Sequence, residues 1–373
     1  MIKADNSLRN LIRISCAFGA GSNKAVKIAN KLNDEGLLDL SPDEALKSAV
    51  LDASLNNRVA AVSLSQVNSI LSDCEREDIS VMTLFDERYP ARLKNINTPP
   101  LLLYVKGVLP DIDNSPVFCI VGPRRISEFG RRAAFSLSRR LSKAGMTVVA
   151  GAASGGDTAV HSGAIEAKAA SVMITADGIL TKAKSGSHGL FKQVLERGCV
   201  ISENPPRYVA NRISFPIRNR IMSGISIGVA VVEAPTVSGA LITATHAAEQ
   251  GRDVFVIPGR PADKYYAGSN ALLRDGATPL LDASDIFTRY IPDFPEIIDV
   301  EKAFSEEKKG ATQKTSKKST EVLSKEALLV YNNLVKPEFT VDDLSNIDID
   351  GAALLSALTE LEMEHLISAL PGG

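Results

Sequence analysis

Residues 117–157 read VFCIVGPRRISEFGRRAAFSLSRRLSKAGMTVVAGAASGGD, and this stretch decides the fold. It contains two short apolar runs, Val117–Val121 and Thr147–Ala150, and a glycine turn follows each of them. Between the runs, residues 127–144 carry apolar side chains at helical spacing. A strand, a helix and a second strand in this order predict a βαβ unit, because two parallel strands need a long crossover connection.

The same alternation continues along the chain to about residue 260. A helix is predicted from about Asp157 to Lys168. Helical segments separate most of the four apolar runs that follow, which are Ser171–Thr175, Cys199–Ser202, Ile227–Val232 and Val254–Ile257. Uninterrupted Val and Ile runs between helices are typical of a parallel sheet covered on both faces, so the predicted fold class is α/β.

Composition divides the chain into four predicted parts. Residues 1–75 have helical spacing around a turn at Gly19–Asn23, which fits a helix-hairpin-helix or SAM-like domain or a plain helical bundle. Residues 303–321 lack apolar side chains after Phe304, as in a flexible linker. The predicted parts are a helical domain at 1–75, an α/β core at 76–300 with an edge strand at 101–105, a linker at 301–321 and a small helical domain at 322–373.

The composition predicts a cytoplasmic protein without a membrane span. Of the 373 residues, 45% are hydrophobic and 23% charged, and no apolar run is long enough to cross a bilayer. Residues 1–10 contain charged and polar side chains where a signal peptide requires an apolar stretch. The four cysteines have no paired spacing, so neither disulfides nor a thiolate metal site is expected.

The net charge of −2 is unevenly distributed along the chain. Residues 117–260 contain 18 Lys and Arg against 9 Asp and Glu, whereas residues 322–373 contain 2 against 9. A basic centre indicates a polyanionic partner, although the charges could also simply face solvent in all directions. The acidic end is expected to contact a protein or to mask the basic central segment, because docking on a polyanion would be repulsive.

Three glycine turns after predicted strands are candidate phosphate sites: Gly122–Arg124, Gly151–Asp157 and Ser238–Ala240. The carboxyl ends of parallel strands lie on one edge, where turns present backbone N–H groups at helix N-termini. The segment FPIRNRIMSG at 215–224 adds two arginines, which bind phosphate through paired hydrogen bonds. Alternatively, one of these arginines pairs with a core carboxylate, such as that of Glu233 or Asp157.

A catalytic role is the alternative to phosphate binding. The candidate groups are Asp157, His161, Glu203 and Glu233, and the first two share one helix face because they are four residues apart. A buried Asp that orients a His or caps its helix is the commoner arrangement. The sequence contains neither a P-loop motif nor a metal-ligand cluster, so no catalytic residue, metal or cofactor is predicted.

The motifs of the central segment together resemble one family. In chain order they are GPR at 122–124, GAASGGD at 151–157 followed by His161, SENPP at 202–206, FPIRNRIMSG at 215–224, VVEA at 231–234, SGALITA at 238–244, GR and PG between 251 and 259, and GSN and DGA between 268 and 277. This series is similar to that of the DNA-processing protein A family (DprA, also called Smf). The similarity covers residues 80–280 and extends loosely to both ends.

The resemblance implies an extended Rossmann-like fold that binds single-stranded DNA without sequence preference. It implies a homodimer that helps to load RecA recombinase onto incoming DNA in natural transformation, with no cofactor and no turnover. A winged-helix-like domain is implied for residues 322–373. The DNA-binding residues that follow are Gly122, Arg124, Gly151, Ser154, Gly155, Lys182, Lys184, Arg218, Asn219, Arg220, Ser238, Gly239 and Thr243.

Several positions depart from the family pattern. Pro123 removes an N–H donor from the first turn, and Ser154 stands where a basic residue is common. Lys182 and Lys184 lie in a segment that replaces a Tyr-Pro pair and add charge to the same rim. The alternatives are a scaffold protein and an enzyme that hydrolyses the N-glycosidic bond of nucleotides. Such an enzyme would use Glu203 or Glu233, but the sequence has no Pro-Gly-Gly-x-Gly-Thr turn.

Overall fold

A computed structural model of the chain describes residues 5–48, 52–183, 188–305, 323–334, 344, 347, 349–363 and 367. The chain divides into two compact units, a sheet unit at Met1–Ala303 and a C-terminal unit at Phe304–Gly373. None of the helices in the described segments combines the length and the apolar character that crossing a bilayer requires.

The described part of the sheet unit contains one nine-stranded sheet. Its strands are β1 Ile79–Thr83, β2 Leu102–Gly107, β3 Val117–Val121, β4 Thr147–Ala150, β5 Ser171–Ile174, β6 Cys199–Ser202, β7 Gly228–Val231, β8 Asp253–Val256 and β9 Thr278–Pro279. Their spatial order is β1-β2-β6-β5-β4-β3-β7-β8-β9. In this spatial order, every neighbouring pair between β6 and β9 is parallel, including those of β3, β4 and β5. Strand β2 is antiparallel to both its neighbours. The predicted α/β fold with an extended Rossmann-like sheet is confirmed.

The order of the strands reverses next to β3. The chain proceeds from β3 through β4 and β5 to β6 on one side, and then returns to place β7 on the other side of β3. In sheets of this kind, ligands bind outside the carboxyl ends of the strands where the order reverses. The expected binding crevice therefore lies between the loops that follow β3 and β7.

The helices of the sheet unit are α1 Asn6–Phe18, α2 Asn23–Asp34, α3 Pro42–Ser48, α4 Ala53–Ala60, α5 Leu64–Arg76, α6 Ala91–Lys94, α7 Glu128–Lys143, α8 Gly156–Glu166, α9 Ile179–Ala183, α10 His188–Leu195, α11 Ser214–Gly224, α12 Gly239–Glu249, α13 Ala267–Arg274 and α14 Ala283–Tyr290. Helix α7 shows how the sequence specifies them. The Ser127 side chain accepts a hydrogen bond from the Gly130 N–H and caps the helix. Ala134, Leu137 and Leu141 recur at helical spacing and are buried, so one face of α7 packs on the core.

The N-terminal helices share a hydrophobic core with the sheet. Buried side chains of one continuous cluster run from Leu8 in α1 to Val256 in β8. The predicted domain boundary near residue 75 falls inside this sheet unit. The two predicted helices around Gly19–Asn23 are present as α1 and α2, and Gly19 and Gly21 of the turn adopt φ angles of +76° and +72°.

One strand near the edge of the sheet differs from the prediction. Residues 101–105 were predicted to form an edge strand, but the corresponding β2 pairs on both sides, with β1 and with β6. All five of these residues are buried, as an inner strand requires. The outer strand β1 follows the charged helix α5 and alternates only weakly between buried and exposed positions, so its pattern did not predict a strand.

The C-terminal unit contains α15 Lys325–Asn332 and α16 Gly351–Met363, which pack through buried residues such as Ala327, Val330 and Leu361. The predicted winged-helix-like domain stays a prediction, because much of residues 322–373, including residues 335–343, lies outside the described residues. Residues 301–305 of the predicted linker are instead helical, and residues 306–321 are not described.

Candidate nucleic-acid interface

A cleft of about 1000 Å³ opens at the carboxyl ends of β3 and β7, where the strand order reverses. The loops after β3 and β7, residues of α11 and the start of α12 line it. Among the described residues that line the cleft, the cations are Arg124, Arg125, Arg212, Arg218 and Lys264, and the only carboxylate is Asp157. The cleft is therefore strongly basic, as the charge of the central segment predicted.

Close contact between two glycine turns forms one side of the cleft. The Gly156 N–H donates to the Pro123 carbonyl over 3.2 Å, which joins the turn after β4 to the turn after β3. Gly155 has a φ of +81°, and a Cβ there would collide with the Arg124 carbonyl and lie 2.7 Å from the Pro123 carbonyl. The second turn therefore needs glycine for its conformation and for the close approach of the two backbones.

Helix α11 carries one of the two predicted arginines into the cleft. Pro216 is tolerated in its first turn, where the backbone N–H groups have no acceptor within the helix. Arg218 is only 7% exposed, and its Nη1 donates to the Ile174 carbonyl over 2.6 Å. Its Nε is buried without a hydrogen-bond partner. Burial lowers the pKa of the Arg218 guanidinium, while the nearby Asp157 carboxylate opposes this shift.

Arg220 lies on the opposite face of α11 and does not line the cleft. Its Nη2 donates to both carboxylate oxygens of Glu203, each over 2.7 Å, and both side chains are buried. Two residues along a helix correspond to a rotation of about 200°, so Arg218 and Arg220 cannot face the same side. One predicted arginine thus pairs with a core carboxylate, and its partner is Glu203 instead of Glu233 or Asp157.

The N-terminus of α12 borders the cleft. Ser238 caps the helix by accepting the Ala240 N–H over 3.3 Å, and Gly239 is exposed with open space where a Cβ would lie. Asn219 Nδ2 and the Thr243 hydroxyl both donate to the Gly239 carbonyl, over 3.1 and 3.4 Å. These contacts fix α11 against the start of α12, whose N–H groups and dipole favour an anion.

Two aromatic rings accompany the cations. The Arg124 guanidinium lies over the Phe215 ring at 4.5 Å, and the Lys264 ammonium lies over the Tyr265 ring at 5.6 Å. All four residues line the cleft. Pairs of this kind are cation–π contacts, and aromatic faces at a basic surface are also where unpaired bases stack.

The cleft cations lack acidic partners, in contrast to those of the neighbouring helix. Within the described residues, Arg124, Arg125, Arg212 and Lys264 form no ion pair with a carboxylate. On α7, Arg131 and Arg132 both pair with Glu128, over 2.6 and 2.9 Å. Four of the five cleft cations therefore lack an acidic partner, whereas Arg131 and Arg132 of α7 share one.

The remaining predicted DNA-binding residues lie around or behind the cleft. Gly151 is buried, and any Cβ there would collide with the Arg218 and Asp157 side chains. Ser154 is exposed on its turn and does not line the cleft. Lys182 belongs to α9, but its side chain is not described, and Lys184 lies outside the described residues.

Among the charged and aromatic residues that line the cleft, the sequence did not predict five: Arg125, Arg212, Phe215, Lys264 and Tyr265. Two of them had a signal in the sequence: Arg125 directly follows Arg124 after the first glycine turn, and Phe215 opens the FPIRNR motif. The remaining three lie in loops without a periodic pattern, so only the fold brings them to the cleft.

The candidate catalytic groups have structural partners. Glu233 is fully buried and accepts the Ser127 N–H over 3.0 Å, which secures the start of α7. Glu203 is held by Arg220. His161 is buried, with its Nε2 2.8 Å from the Gly151 carbonyl and its Nδ1 2.6 Å from the Ser171 hydroxyl. Asp157 lines the cleft and accepts the Ala153 N–H over 3.0 Å. The described residues include no group of three or more His, Cys, Asp or Glu side chains placed to hold a metal ion.

A Rossmann-like sheet with a basic cleft at its switch point, bordered by a helix N-terminus and aromatic rings, defines an α/β protein whose cleft suits an anionic ligand. The profile of one family, described as DNA recombination-mediator protein A, matches residues 80–291. The chain belongs to this family, which confirms the resemblance seen in its motifs.

Several characterised relatives are similar along much of the chain. The DNA processing protein DprA of Bacillus subtilis (strain 168) is 32% identical over 254 residues, which are 66% of this chain and 86% of that protein. Protein Smf of Escherichia coli (strain K12) is 27% identical over 370 residues, which are 97% of this chain and 93% of that protein.

Two solved structures have a similar fold. The structure of DprA from Streptococcus pneumoniae matches with a TM-score of 0.66 at 25% identity, over 77% of this chain and 98% of that one. DNA processing protein A from Helicobacter pylori, described for its single-stranded DNA binding mode, matches with a TM-score of 0.52 at 24% identity. The second match covers 58% of this chain and 96% of that one.

Proposed function

We propose that the chain binds single-stranded DNA in the cleft without reading its sequence. The observation that carries this proposal is a cleft lined by cations without acidic partners, together with the buried guanidinium of Arg218. These cations are Arg124, Arg125, Arg212 and Lys264. A buried arginine that lines the cleft favours an anionic ligand, because a phosphate at the cleft would offset the burial of its charge.

Phosphate groups are the part of DNA that this chemistry recognises. The exposed arginines attract the backbone by charge, and the α12 N-terminus adds N–H donors at the same place. The Thr243 hydroxyl and one of the two Asn219 Nδ2 hydrogens donate to the Gly239 carbonyl and are not free to read base edges. Binding through phosphates alone is insensitive to sequence and sensitive to salt.

Preference for a single strand follows from the aromatic rings and from the size of the site. Phe215 and Tyr265 line the cleft, and aromatic rings at a basic surface can stack with unpaired bases, which a duplex keeps stacked inside its helix. A cleft of about 1000 Å³ is comparable with a small-ligand pocket, so it suits a strand that enters a few nucleotides at a time. The relative from Helicobacter pylori is described as binding single-stranded DNA, which supports the same assignment here.

We further propose that the chain acts as a recombination mediator in DNA uptake, in the cytoplasm. It would bind as a homodimer and load RecA recombinase onto the strand that it holds. These partners follow from family membership. The nucleotide-hydrolysing alternative is less well supported, since Glu203 and Glu233 are engaged in buried structural contacts away from the cleft.

Fluorescence anisotropy of a labelled single strand and of the matching duplex tests DNA binding. We expect the wild-type protein to prefer the single strand, and we expect Arg124→Ala and Arg218→Ala each to weaken its binding. Arg132→Ala removes an exposed charge from α7, outside the cleft, and should leave binding nearly unchanged. Equal affinity for both DNA forms, or equal effects of the three variants, would overturn the proposal.

A further inference from the structure

The turn between α1 and α2 contacts the back of α11, on the side opposite the cleft. The Gly21 N–H donates to Glu203 Oε1 over 2.9 Å, and the same carboxylate accepts both hydrogen bonds from Arg220. Gly21 also packs directly on Ile217, because a Cβ built on it would lie 2.8 Å from Ile217 Cγ2. One carboxylate therefore joins the N-terminal turn to the helix that carries Arg218.

This contact is buried and bears on the orientation of α11. The side chains of Arg220 and Glu203 are 8% and 7% exposed, so the solvent screens their interaction little. Removing one partner of such a pair leaves an uncompensated buried charge, which is strongly unfavourable. In contrast, the Arg207–Asp73 pair, which joins the loop before α11 to α5, has an arginine that is 58% exposed, so solvent screens this interaction more.

At its start, helix α11 is held by Asn211, whose Oδ1 accepts the N–H groups of Ile213 and Ser214 over 3.0 and 3.2 Å. The residue that precedes the helix, Ile213, provides no side-chain hydrogen bond to cap it. Toward its end, Gln250 Nε2 donates to the Arg220 carbonyl over 3.0 Å. The middle of the helix is thus held between the N-terminal turn on one face and the α12 N-terminus, through Asn219, on the other. A rotation of α11 would withdraw Arg218 from the cleft.

We propose that Gly21, Glu203 and Arg220 are positioning residues for phosphate binding, which rests on the function proposed above. They hold α11 in the rotation that directs Arg218 and Asn219 into the cleft. The Gly21 amide, which a helix-hairpin-helix would direct at a phosphate, is used within the protein. Arg220 accordingly contributes to DNA binding through α11 and makes no contact with a phosphate.

The substitution Glu203→Gln distinguishes positioning from direct contact by the sign of its effect. If charge alone mattered, removing a carboxylate near a polyanion site would strengthen DNA binding, and it would also release Arg220 to bind phosphate. Positioning predicts the opposite, a loss of about fivefold to tenfold in affinity for the single strand. Glu196→Gln removes an exposed carboxylate of the same charge and is expected not to weaken binding.

Should Glu203→Gln fail to fold, a pair of glycine substitutions tests the same inference without changing any charge. Gly19→Ala and Gly21→Ala both place a side chain at a positive φ in the same turn, but only the second meets Ile217, since the space beside Gly19 is open. We expect Gly21→Ala to weaken single-strand binding at least about threefold more than Gly19→Ala. Far-ultraviolet circular dichroism and thermal unfolding confirm that each variant is folded at the assay temperature.

The outcomes separate this inference from the proposed function. A wild-type protein that does not bind single-stranded DNA overturns both. Normal wild-type binding, with tighter binding by folded Glu203→Gln or with equal affinities for the two glycine variants, overturns only the positioning role. Weaker binding by Glu203→Gln or by Gly21→Ala than by its matched control supports it.

Discussion

The salt dependence of DNA binding is predictable from the number of cations in the cleft. In the described part of the chain, five cations line it: Arg124, Arg125, Arg212, Arg218 and Lys264. Each phosphate neutralised on a single strand contributes about −0.7 to the slope of log K against log salt, so five contacts give a slope of about −3.5. Raising the salt concentration from about 50 to about 200 mM should then weaken binding about 100-fold.

Removing two exposed cations should reduce this slope by a calculable amount. For the double variant Arg124→Ala/Arg212→Ala, three contacts remain, which predicts a slope of about −2.1 and a loss of about 20-fold over the same range. The control Arg131→Ala/Arg132→Ala removes the same charge from α7, where both arginines pair with Glu128. Its slope should match that of the wild-type protein.

The assay is a titration of labelled oligonucleotide, followed by anisotropy at five or more salt concentrations. An unchanged slope in the cleft double variant would refute phosphate contact by these two residues. An equal reduction in the α7 control would show that the effect reflects the overall charge of the protein instead of contacts in the cleft.

Two further predictions concern stability. Gly155→Ala combines a positive φ with a collision against the Arg124 carbonyl, so it should lower the free energy of unfolding, measured in urea, by about 2 to 5 kcal/mol. The control Gly251→Ala has a φ of +68° and open space beside it, so it should lower the free energy of unfolding by about 1 kcal/mol. Equal losses in the two variants would contradict the close approach of the two glycine turns. The hydrogen bond from Arg207 lowers the pKa of the Asp73 carboxyl below its ordinary value. Because its pKa is lowered in the folded protein, the ionised Asp73 carboxylate stabilises the fold at pH values above its ordinary pKa. This stabilisation is lost as the pH falls from about 4 to about 2, so the difference in Tm between wild type and Asp73→Asn should shrink over that range. A difference in Tm that is independent of pH would refute the ionic contribution.

The sequence predicted the central sheet because its strands are locally encoded. Val117–Val121 and Thr147–Ala150 are strands with the predicted boundaries, and Ser127 and Ala144 are the caps of the predicted helix between them. Uninterrupted apolar runs identify strands that are buried on both faces. β1 has only a weak alternation and was not predicted, since its place in the sheet depends on pairing with β2.

The position of the cleft could be predicted from the sequence, but not the full set of residues that line it. The glycine turns indicated the edge of the sheet at which the cleft lies, because all parallel strands end there. Arg220 shows the limit of motif-based assignment: it lies two positions from Arg218, and once the segment is known to be helical the two must face different ways. Arg212 and Lys264 come from loops, where no periodicity indicates which side chains converge.

The hydrogen bond between Gly21 and Glu203 also has a consequence for the order of folding, because it spans 182 positions of the chain. During synthesis the α1–α2 turn emerges long before the carboxylate and α11 that it contacts. Contacts of such large sequence separation form late and slow folding, since the intervening chain must be ordered first. Competence to bind DNA should therefore appear as a late event in refolding, after the helical signal has recovered.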